Sequence, residues 1–159
     1  MVLGQNILAT LVYYDVLDMP LKAEEILTRL VNFGHFAGYQ LSAVSRQLIN
    51  LESIKKELDR FVLNGIVGRS ENYYFLFDRE YLAPLRLKHE QIAKRKWRQA
   101  ERAIRWLRFT PFIKAVFASG SLALNNTDEL SDLDVLVVVS HGRIWLSRLW
   151  VSALLSFLG

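Results

Sequence analysis

The sequence predicts an α+β protein, and three patterns indicate this class. Apolar residues recur every three or four positions in several long segments, which is the spacing of amphipathic helices. Ile66-Val67 and the run from Tyr73 to Phe77 are rich in β-branched and aromatic residues, so they predict a two-stranded hairpin. The aliphatic run from Asp132 to Val139 predicts a fully buried strand. With 52% hydrophobic residues in a chain of 159, these elements can form one good core or two small ones.

The first part of the chain, residues 1–80, is predicted to be a helical domain that ends in the hairpin. Its elements before the hairpin are a helix from Asn6 to Leu17, a helix from Lys22 to Val31, a loop from Asn32 to Tyr39, a short helix from Leu41 to Ile49 and a helix from Leu51 to Leu63. Pro20 ends the first helix, because the residue before a proline avoids helical angles. Asn64-Gly65 ends the last one, since both residue types tolerate the left-handed conformation that often follows a helix.

This order of helices and hairpin resembles the winged helix-turn-helix family. The match lies in the segment from Leu58 to Gly65, at the end of the helix from Leu51, which corresponds to the third helix of that family. It also includes Tyr74-Phe75-Leu76, which corresponds to the wing. The resemblance implies DNA binding through the third helix. That helix, however, is electrically balanced, and charge attraction dominates nucleic-acid affinity. Its basic residues are Lys55, Lys56 and Arg60, and its acidic residues are Glu52, Glu57 and Asp59. Packing against the rest of the protein, or recognition of a partner or acceptor, is therefore the favoured role.

Residues 81–110 are predicted to form a connecting helix, whose regular part runs from Leu85 to Phe109. Nine basic and two acidic residues lie between Arg86 and Arg108, a net charge of +7, while the whole chain carries +4 and the remainder therefore −3. Two interpretations stay open. The basic residues can form a solvated face around an apolar stripe, or they can bind RNA or a triphosphate if they face a cleft. The residues concerned are Arg95, Arg98, Arg102 and Arg105.

The third part, residues 111–159, is predicted to alternate strands and helices. Its elements are a strand from Ile113 to Ala118, a short helix beginning at Leu122 to Leu124, a loop from Asn125 to Ser131, the strand from Asp132 to Val139 and a helix from Arg143 to Leu158. The last helix is shorter than the roughly 20 residues of a membrane span and contains Arg148. We therefore expect a core helix and no membrane partner.

The composition excludes several functional classes. Cysteine is absent, so disulfides and thiolate metal sites are excluded. His35, His89 and His141 are too scattered to predict a zinc site. The first ten residues lack the basic start and the cleavage site of a secretory signal, and we expect a cytoplasmic protein.

The strongest functional signal joins a glycine turn to a pair of carboxylates. Gly120 and Ser121 follow the predicted strand at Ala118, and Asp132 and Asp134 stand at the head of the next strand. Because side chains alternate along a strand, both aspartates are expected on one face. The residues expected to point into the core are Leu133 and Val135. Carboxylate and phosphate oxygens are the ligands that Mg²⁺ prefers, and backbone N–H groups at the start of a helix can bind a phosphate.

Gly120-Ser121, the polar spacer and Asp132-Leu133-Asp134 resemble the signature of the DNA polymerase β-like nucleotidyltransferase superfamily, particularly its minimal members. The resemblance covers roughly Ile113 to Val139. It implies a mixed-sheet nucleotidyltransferase domain in which Gly120 and Ser121 hold the phosphates of a nucleoside triphosphate, expected to be ATP. It also implies that Asp132 and Asp134 are the catalytic residues that bind two Mg²⁺ ions. The acceptor implied is a small molecule, a protein or RNA.

The chain departs from this family in one respect. Members have a third carboxylate on a later strand, which is the expected general base, but no Asp or Glu follows Asp134. Asp128 and Glu129 lie between the two halves of the motif, on the wrong side to replace it. Three interpretations are open: a part of a longer protein, a fold completed by a partner subunit or a second copy, and a domain without catalysis. The apolar last helix favours the first, and we expect these 159 residues alone to be inactive.

Two alternative functions remain. One is an antitoxin-like or regulatory binding protein that uses an incomplete nucleotidyltransferase fold for interactions. The other alternative is a purely structural role, in which Gly120-Ser121 is an ordinary turn and Asp132 merely begins a strand. Two aspartates on one face repel each other, and strands generally avoid aspartate, so this last alternative is the weaker one.

Overall fold

The chain forms an α+β structure in two compact units, which is the predicted class. A computed structural model describes residues 2–31 and 49–158, and within them six helices and two antiparallel two-stranded sheets are present. The N-terminal unit spans Met1–Arg86 and the C-terminal unit spans Leu87–Gly159.

The N-terminal unit contains three described helices and a hairpin. They are α1 (Val2–Asp15), α2 (Ala23–Thr28), α3 (Leu51–Leu63), β1 (Val67–Ser70) and β2 (Tyr73–Leu76). Helix α2 is shorter than predicted: it ends at Thr28, and Arg29 follows as its C-cap with φ −111° and ψ 16°. The predicted loop from Asn32 to Tyr39 and most of the helix predicted from Leu41 lie outside the described residues.

Helix α3 has the predicted bounds, and both of its ends are explained by local chemistry. The Asn50 side chain accepts a hydrogen bond from the Ser53 N–H at 2.8 Å, and the Asn50 N–H donates to the Ser53 hydroxyl at 3.2 Å. Gly65 follows the helix with φ +67°, the left-handed conformation that glycine adopts without strain. The hairpin then pairs Val67 with Leu76, and Leu21 adds an antiparallel bridge to Tyr74 at its other edge.

The core of the N-terminal unit encloses one ion pair. Its apolar members include Ile7, Leu11, Met19, Leu21, Ile26, Ile54, Leu58, Phe61, Val67, Tyr73, Phe75 and Leu82. The side chain of Arg86 is fully buried, and its Nη2 donates to Glu25 Oε1 at 2.9 Å. Glu25 Oε2 also accepts the Lys22 N–H at 3.0 Å, so this carboxylate joins the start of α2 to the buried guanidinium.

One long helix, α4 (Leu82–Leu107), crosses the boundary between the two units. It begins three residues before the predicted Leu85, because Pro84 is accommodated in the first turn, where no intrahelical N–H bond is lost. The C-terminal unit then contains β3 (Ile113–Ala118), α5 (Gly120–Ala123), β4 (Val135–Val139) and α6 (Ile144–Leu158). Strands β3 and β4 are antiparallel, with Ala118 opposite Val135.

The predicted buried strand from Asp132 to Val139 is wrong in extent and in burial. The strand begins at Val135, and Leu136 is 60% exposed. Leu133 and Val135, which were predicted to point into the core, are each 37% exposed. A sheet of two strands explains this result, because it leaves apolar side chains uncovered that further strands would cover.

Helix α6 is also more exposed than the predicted core helix. Its exposed apolar residues are Ile144, Trp145, Leu146, Leu149 and Trp150. Among the described side chains of α6, the one that is buried is Ser147. No helix in residues 2–31 or 49–158 is both long enough and apolar enough to cross a membrane.

Glu25→Gln should destabilise the N-terminal unit by about 3 kcal/mol, because it removes the carboxylate charge that lies 2.9 Å from the buried guanidinium of Arg86. The matched control is Glu24→Gln, whose partner Lys55 lies 3.8 Å away with both side chains largely exposed. That change should cost less than about 1 kcal/mol. Urea unfolding followed by circular dichroism measures both, and equal losses would contradict the role given to the buried pair.

Candidate functional site

The corner between β3 and α5 is built around Gly120. This residue has φ +62°, and a Cβ placed on it would collide with Oδ2 of Asp134 and lie 3.3 Å from its Cγ. The Asp134 carboxylate therefore occupies the space that a side chain at position 120 would need. The backbone supports the same contact, since the Ser119 N–H donates to the Asp134 carbonyl at 2.9 Å. Residues 14 apart in sequence are thus in direct contact because one of them is glycine.

Asp134, one of the two predicted carboxylates, lies at the glycine corner. Asp132, the other, precedes it by two residues in the chain. Asp132 and Asp134 lie in the extended segment directly before β4 rather than within it. Both residues are exposed. Within the described part of the chain, no ion pair or hydrogen bond to another side chain engages either carboxylate. Both therefore remain available to a cation.

In the described part of the chain, no backbone hydrogen bond is formed by the N–H groups of Gly120 and Ser121. The first N–H groups of a helix have no partner inside that helix, and α5 begins at Gly120. Leu122, which is 1% exposed, anchors this short helix. It packs with Ala93 and Ala100 of α4 in the small core of the C-terminal unit. Helix α4 therefore packs against the short helix that begins at this corner.

Helix α4 also holds the loop between the two halves of the motif. Trp97 Nε1 donates to Asn125 Oδ1 at 2.7 Å, and His89 Nδ1 lies 3.0 Å from Asn126 Oδ1. The Asn126 N–H donates in turn to the Ser121 carbonyl at 2.9 Å. The loop is thus tied both to the helix and to the glycine corner.

A second pair of contacts from α4 lies next to the carboxylates. Lys96 Nζ donates to the carbonyl of Ser131, the residue that precedes Asp132, and Arg95 forms an ion pair with Glu129. The sequence leaves two interpretations open for the basic residues, a solvated face or binding of RNA or a triphosphate, and it does not indicate this role. His89, Lys96 and Trp97 lie on one side of the helix by their spacing. This spacing is the one sequence signal that could have indicated the contacts between α4 and the loop.

Asp128 is engaged by Ser131 within the loop and Glu129 by Arg95 of α4, so neither supplies the missing third carboxylate. Asp128 Oδ1 accepts hydrogen bonds from the Ser131 hydroxyl at 2.7 Å and from the Ser131 N–H at 2.6 Å. These bonds, the hydroxyl first, hold the pKa of the exposed Asp128 carboxyl below its usual value. Among the described residues, no group of three Asp, Glu, His or Cys side chains is placed to hold a metal ion.

The donor set that remains fits one kind of ligand. Mg²⁺ is commonly bound by one or two protein carboxylates together with the phosphate oxygens of a substrate. Asp132 and Asp134 offer hard oxygen ligands, and the corner at Gly120 offers N–H donors next to them. The geometry therefore suits a cation that arrives with a phosphate ester better than a cation bound by the protein alone.

Comparison with known proteins leaves the site to be interpreted from its geometry, since no family model, curated protein or solved structure matches the chain.

Gly120→Ala should lower the free energy of unfolding by about 2 to 4 kcal/mol, from left-handed strain together with the collision with Asp134. The matched control is Gly142→Ala, where φ is +71° but nothing lies within 4 Å of the added Cβ. It should cost only about 1 kcal/mol. Denaturant unfolding of both variants measures the difference. Combining Gly120→Ala with Asp134→Ala should recover part of the loss, and no recovery would show that the carboxylate does not fill this space.

Ser131→Ala should raise the pKa of Asp128 toward its ordinary value, because the hydroxyl is the main group that lowers it. A carboxyl with a lowered pKa in the folded state stabilises its loop above the ordinary pKa and loses that stabilisation as the pH falls through the lowered pKa. NMR titration of the side-chain carboxyl carbon measures the shift. Ser131→Thr keeps the hydroxyl and should keep the pKa low. An unchanged pKa in Ser131→Ala would contradict this assignment.

Proposed function

We propose that this chain contains a Mg²⁺-dependent nucleotidyltransferase domain of the polymerase β-like kind, preceded by a winged-helix domain. The reaction moves a nucleoside monophosphate from a triphosphate, expected to be ATP, to an acceptor. The single observation that supports this proposal is the Asp134 carboxylate resting on the left-handed Gly120. That contact joins an acidic side chain to a corner of free N–H groups, which is the combination a metal-bound triphosphate requires.

Each residue of the site has a distinct part in the proposed mechanism. The N–H groups of Gly120 and Ser121 bind and orient the phosphates, and Gly120 lets the backbone approach them closely. Asp132 and Asp134 would hold Mg²⁺, which when bound neutralises phosphate charge and polarises the attacking oxygen. Lys96 fixes the backbone just before Asp132 through the Ser131 carbonyl. Fixing this backbone limits the motion of the first carboxylate relative to the second.

Proton removal from the acceptor is the step that these residues do not provide. No acidic residue follows Asp134, and Asp128 and Glu129 are held by Ser131 and Arg95. A general base within hydrogen-bond reach of the attacking hydroxyl is needed for efficient transfer. We therefore expect the 159 residues to bind Mg²⁺ and nucleotide but to transfer nucleotide poorly by themselves.

A second candidate function is a regulatory binding protein that keeps this fold as an interaction module. The exposed aromatic residues Trp145 and Trp150 of α6, which are 75% and 53% exposed, favour it. The two functions differ in one respect. A transferase needs the carboxylates for metal-dependent nucleotide binding, whereas an interaction module does not.

The N-terminal unit supports the winged-helix part of the proposal through its topology. Leu21 lies between α1 and α2 and forms a one-residue antiparallel bridge with Tyr74 of the hairpin. Two cations of the third helix and the wing form ion pairs there: Arg60 with Glu57 at 3.6 Å, and Arg69 with Asp59 at 3.7 Å. Because these pairs occupy the cations that a phosphate backbone would need, we assign this unit to partner or acceptor recognition rather than to DNA binding.

Asp132→Asn and Asp134→Asn should each weaken Mg²⁺-dependent ATP binding by more than about tenfold, because each removes one charged oxygen ligand of the cation. Isothermal titration with ATP in Mg²⁺ and in EDTA measures this effect. The matched control is Asp78→Asn, since Asp78 is exposed in the N-terminal unit at φ +66°, a conformation that asparagine tolerates. It should bind ATP as the parent chain does.

Equal Mg²⁺-dependent binding by Asp132→Asn, Asp134→Asn and the parent chain would refute the transferase proposal and leave the interaction module. Incubation with α-labelled triphosphates, Mg²⁺ and cell extract then identifies any acceptor by the component that becomes labelled. Rapid labelling by the 159 residues alone would contradict the expectation of poor transfer.

A further inference from the structure

A second surface of α4 consists of four cations in a row. Lys94, Arg98, Arg102 and Arg105 follow one another in steps of four, four and three residues, so they share one narrow face of the helix. All four are exposed. A rise of 1.5 Å per residue separates consecutive members by roughly 5 to 6 Å along the axis. We call these four residues the basic stripe.

The stripe differs from Arg95 and Lys96 of the same helix, because its charges are not used by the fold. Arg95 and Lys96 contact Glu129 and Ser131, as described above. None of the four stripe residues has an ion-pair or hydrogen-bond partner in the described part of the chain. Glu101, three residues after Arg98 and four before Arg105, lies on the same face. In the described part of the chain no ion pair joins it to either arginine. The face thus carries four cations and one anion, a net positive charge that suits an anionic partner.

The stripe faces away from the glycine corner. Ala93 and Ala100 are buried against Leu122. Two residues along a helix turn the direction by about 200°, so Arg98 and Arg102 lie on the side opposite Ala100. A triphosphate bound at Gly120 would therefore lie on the opposite side of α4 from the stripe. The stripe is a separate surface rather than an extension of the candidate site.

Two exposed aromatic residues lie at the C-terminal end of this surface. Trp106 is 53% exposed and comes four residues after Arg102, and Phe109 is 75% exposed and lies in the turn that follows the end of α4 at Leu107. Surfaces that bind single-stranded nucleic acid combine cations that follow the phosphates with aromatic rings on which unpaired bases stack. A duplex keeps its bases paired, so it would use the cations but not the rings.

We infer that the basic stripe, with Trp106 and Phe109, binds a single-stranded nucleic acid along α4. The cations contact consecutive phosphates, and the rings stack on bases at one end of the bound segment. The surface lies outside the proposed nucleotidyl-transfer site. Its binding therefore requires neither Mg²⁺ nor the two aspartates, and Asp134→Asn should bind the strand as tightly as the parent chain.

The test is fluorescence anisotropy with a labelled oligouridylate of about 15 nucleotides, measured in EDTA over a range of salt concentrations. The stripe variant replaces Lys94, Arg98, Arg102 and Arg105 by Gln. Each lost phosphate contact lowers the slope of log affinity against log salt by about 0.7 for single strands. The variant should therefore bind at least tenfold more weakly at low salt, with a slope smaller by about 2 to 3.

A matched variant removes the same charge from other elements. It replaces Lys56, Arg60, Lys114 and Arg143 by Gln, and all four of these residues are exposed. Its affinity should fall less than about threefold, because long-range attraction is screened by salt. Equal losses in the two variants, or no loss in the stripe variant, would overturn the proposal. Circular dichroism confirms that both variants fold.

Stacking is tested by Trp106→Ala against Trp150→Ala, since the two tryptophans are equally exposed at 53%. Trp106→Ala should weaken binding by about fivefold or more, as expected for the loss of one stacked base, with an unchanged salt slope. Trp150→Ala should leave binding as it was. An oligothymidylate should bind like the oligouridylate, while tighter binding of a duplex of the same length would contradict the single-stranded assignment.

Discussion

The left-handed conformation of Gly120 is the constraint on which the C-terminal unit depends. At φ +62° the chain turns from β3 into α5 without a side chain, and the Asp134 carboxylate fills the space that is left. The Ser119 N–H and the Asp134 carbonyl extend the sheet by one hydrogen bond at the same point. A glycine chosen for the turn thus also fixes where the acidic segment before β4 lies. The proposed metal and phosphate ligands are neighbours because of this single backbone geometry.

Helix α4 completes the arrangement by using its faces for different purposes. The face with Ala93 and Ala100 forms the small core beneath α5. An adjacent side holds the loop, with Lys96 bound to the Ser131 carbonyl. The face with Arg98 and Arg102 is left to solvent and to an anionic partner. The basic residues of this helix therefore have at least two roles, contact with the loop and exposure to a partner. The net charge of the helix does not distinguish these roles.

The sequence predicted the elements that depend on local signals. The caps at Asn50 and Gly65 give α3 its predicted bounds, and β3 begins and ends where its apolar run does. The burial of Val135 to Val139 was predicted wrongly, since burial depends on how many strands and helices cover a strand, which its own residues do not state. The contact between Gly120 and Asp134 was not predicted, since the family resemblance implied only that the two residues belong to one site. The role of Lys96 was missed because it depends on where a distant loop lies.

Paramagnetic relaxation by Mn²⁺ in an NMR spectrum tests the central claim most directly, because it locates the bound cation. In the presence of ATP, low concentrations of Mn²⁺ should broaden the amide signals of residues 119–121 and 132–134 first. Without nucleotide the same broadening should need far more Mn²⁺, since two carboxylates alone bind the ion weakly. Broadening centred elsewhere, such as on Asp128 and Glu129 or on the N-terminal unit, would contradict a nucleotide and metal site at the Gly120 corner.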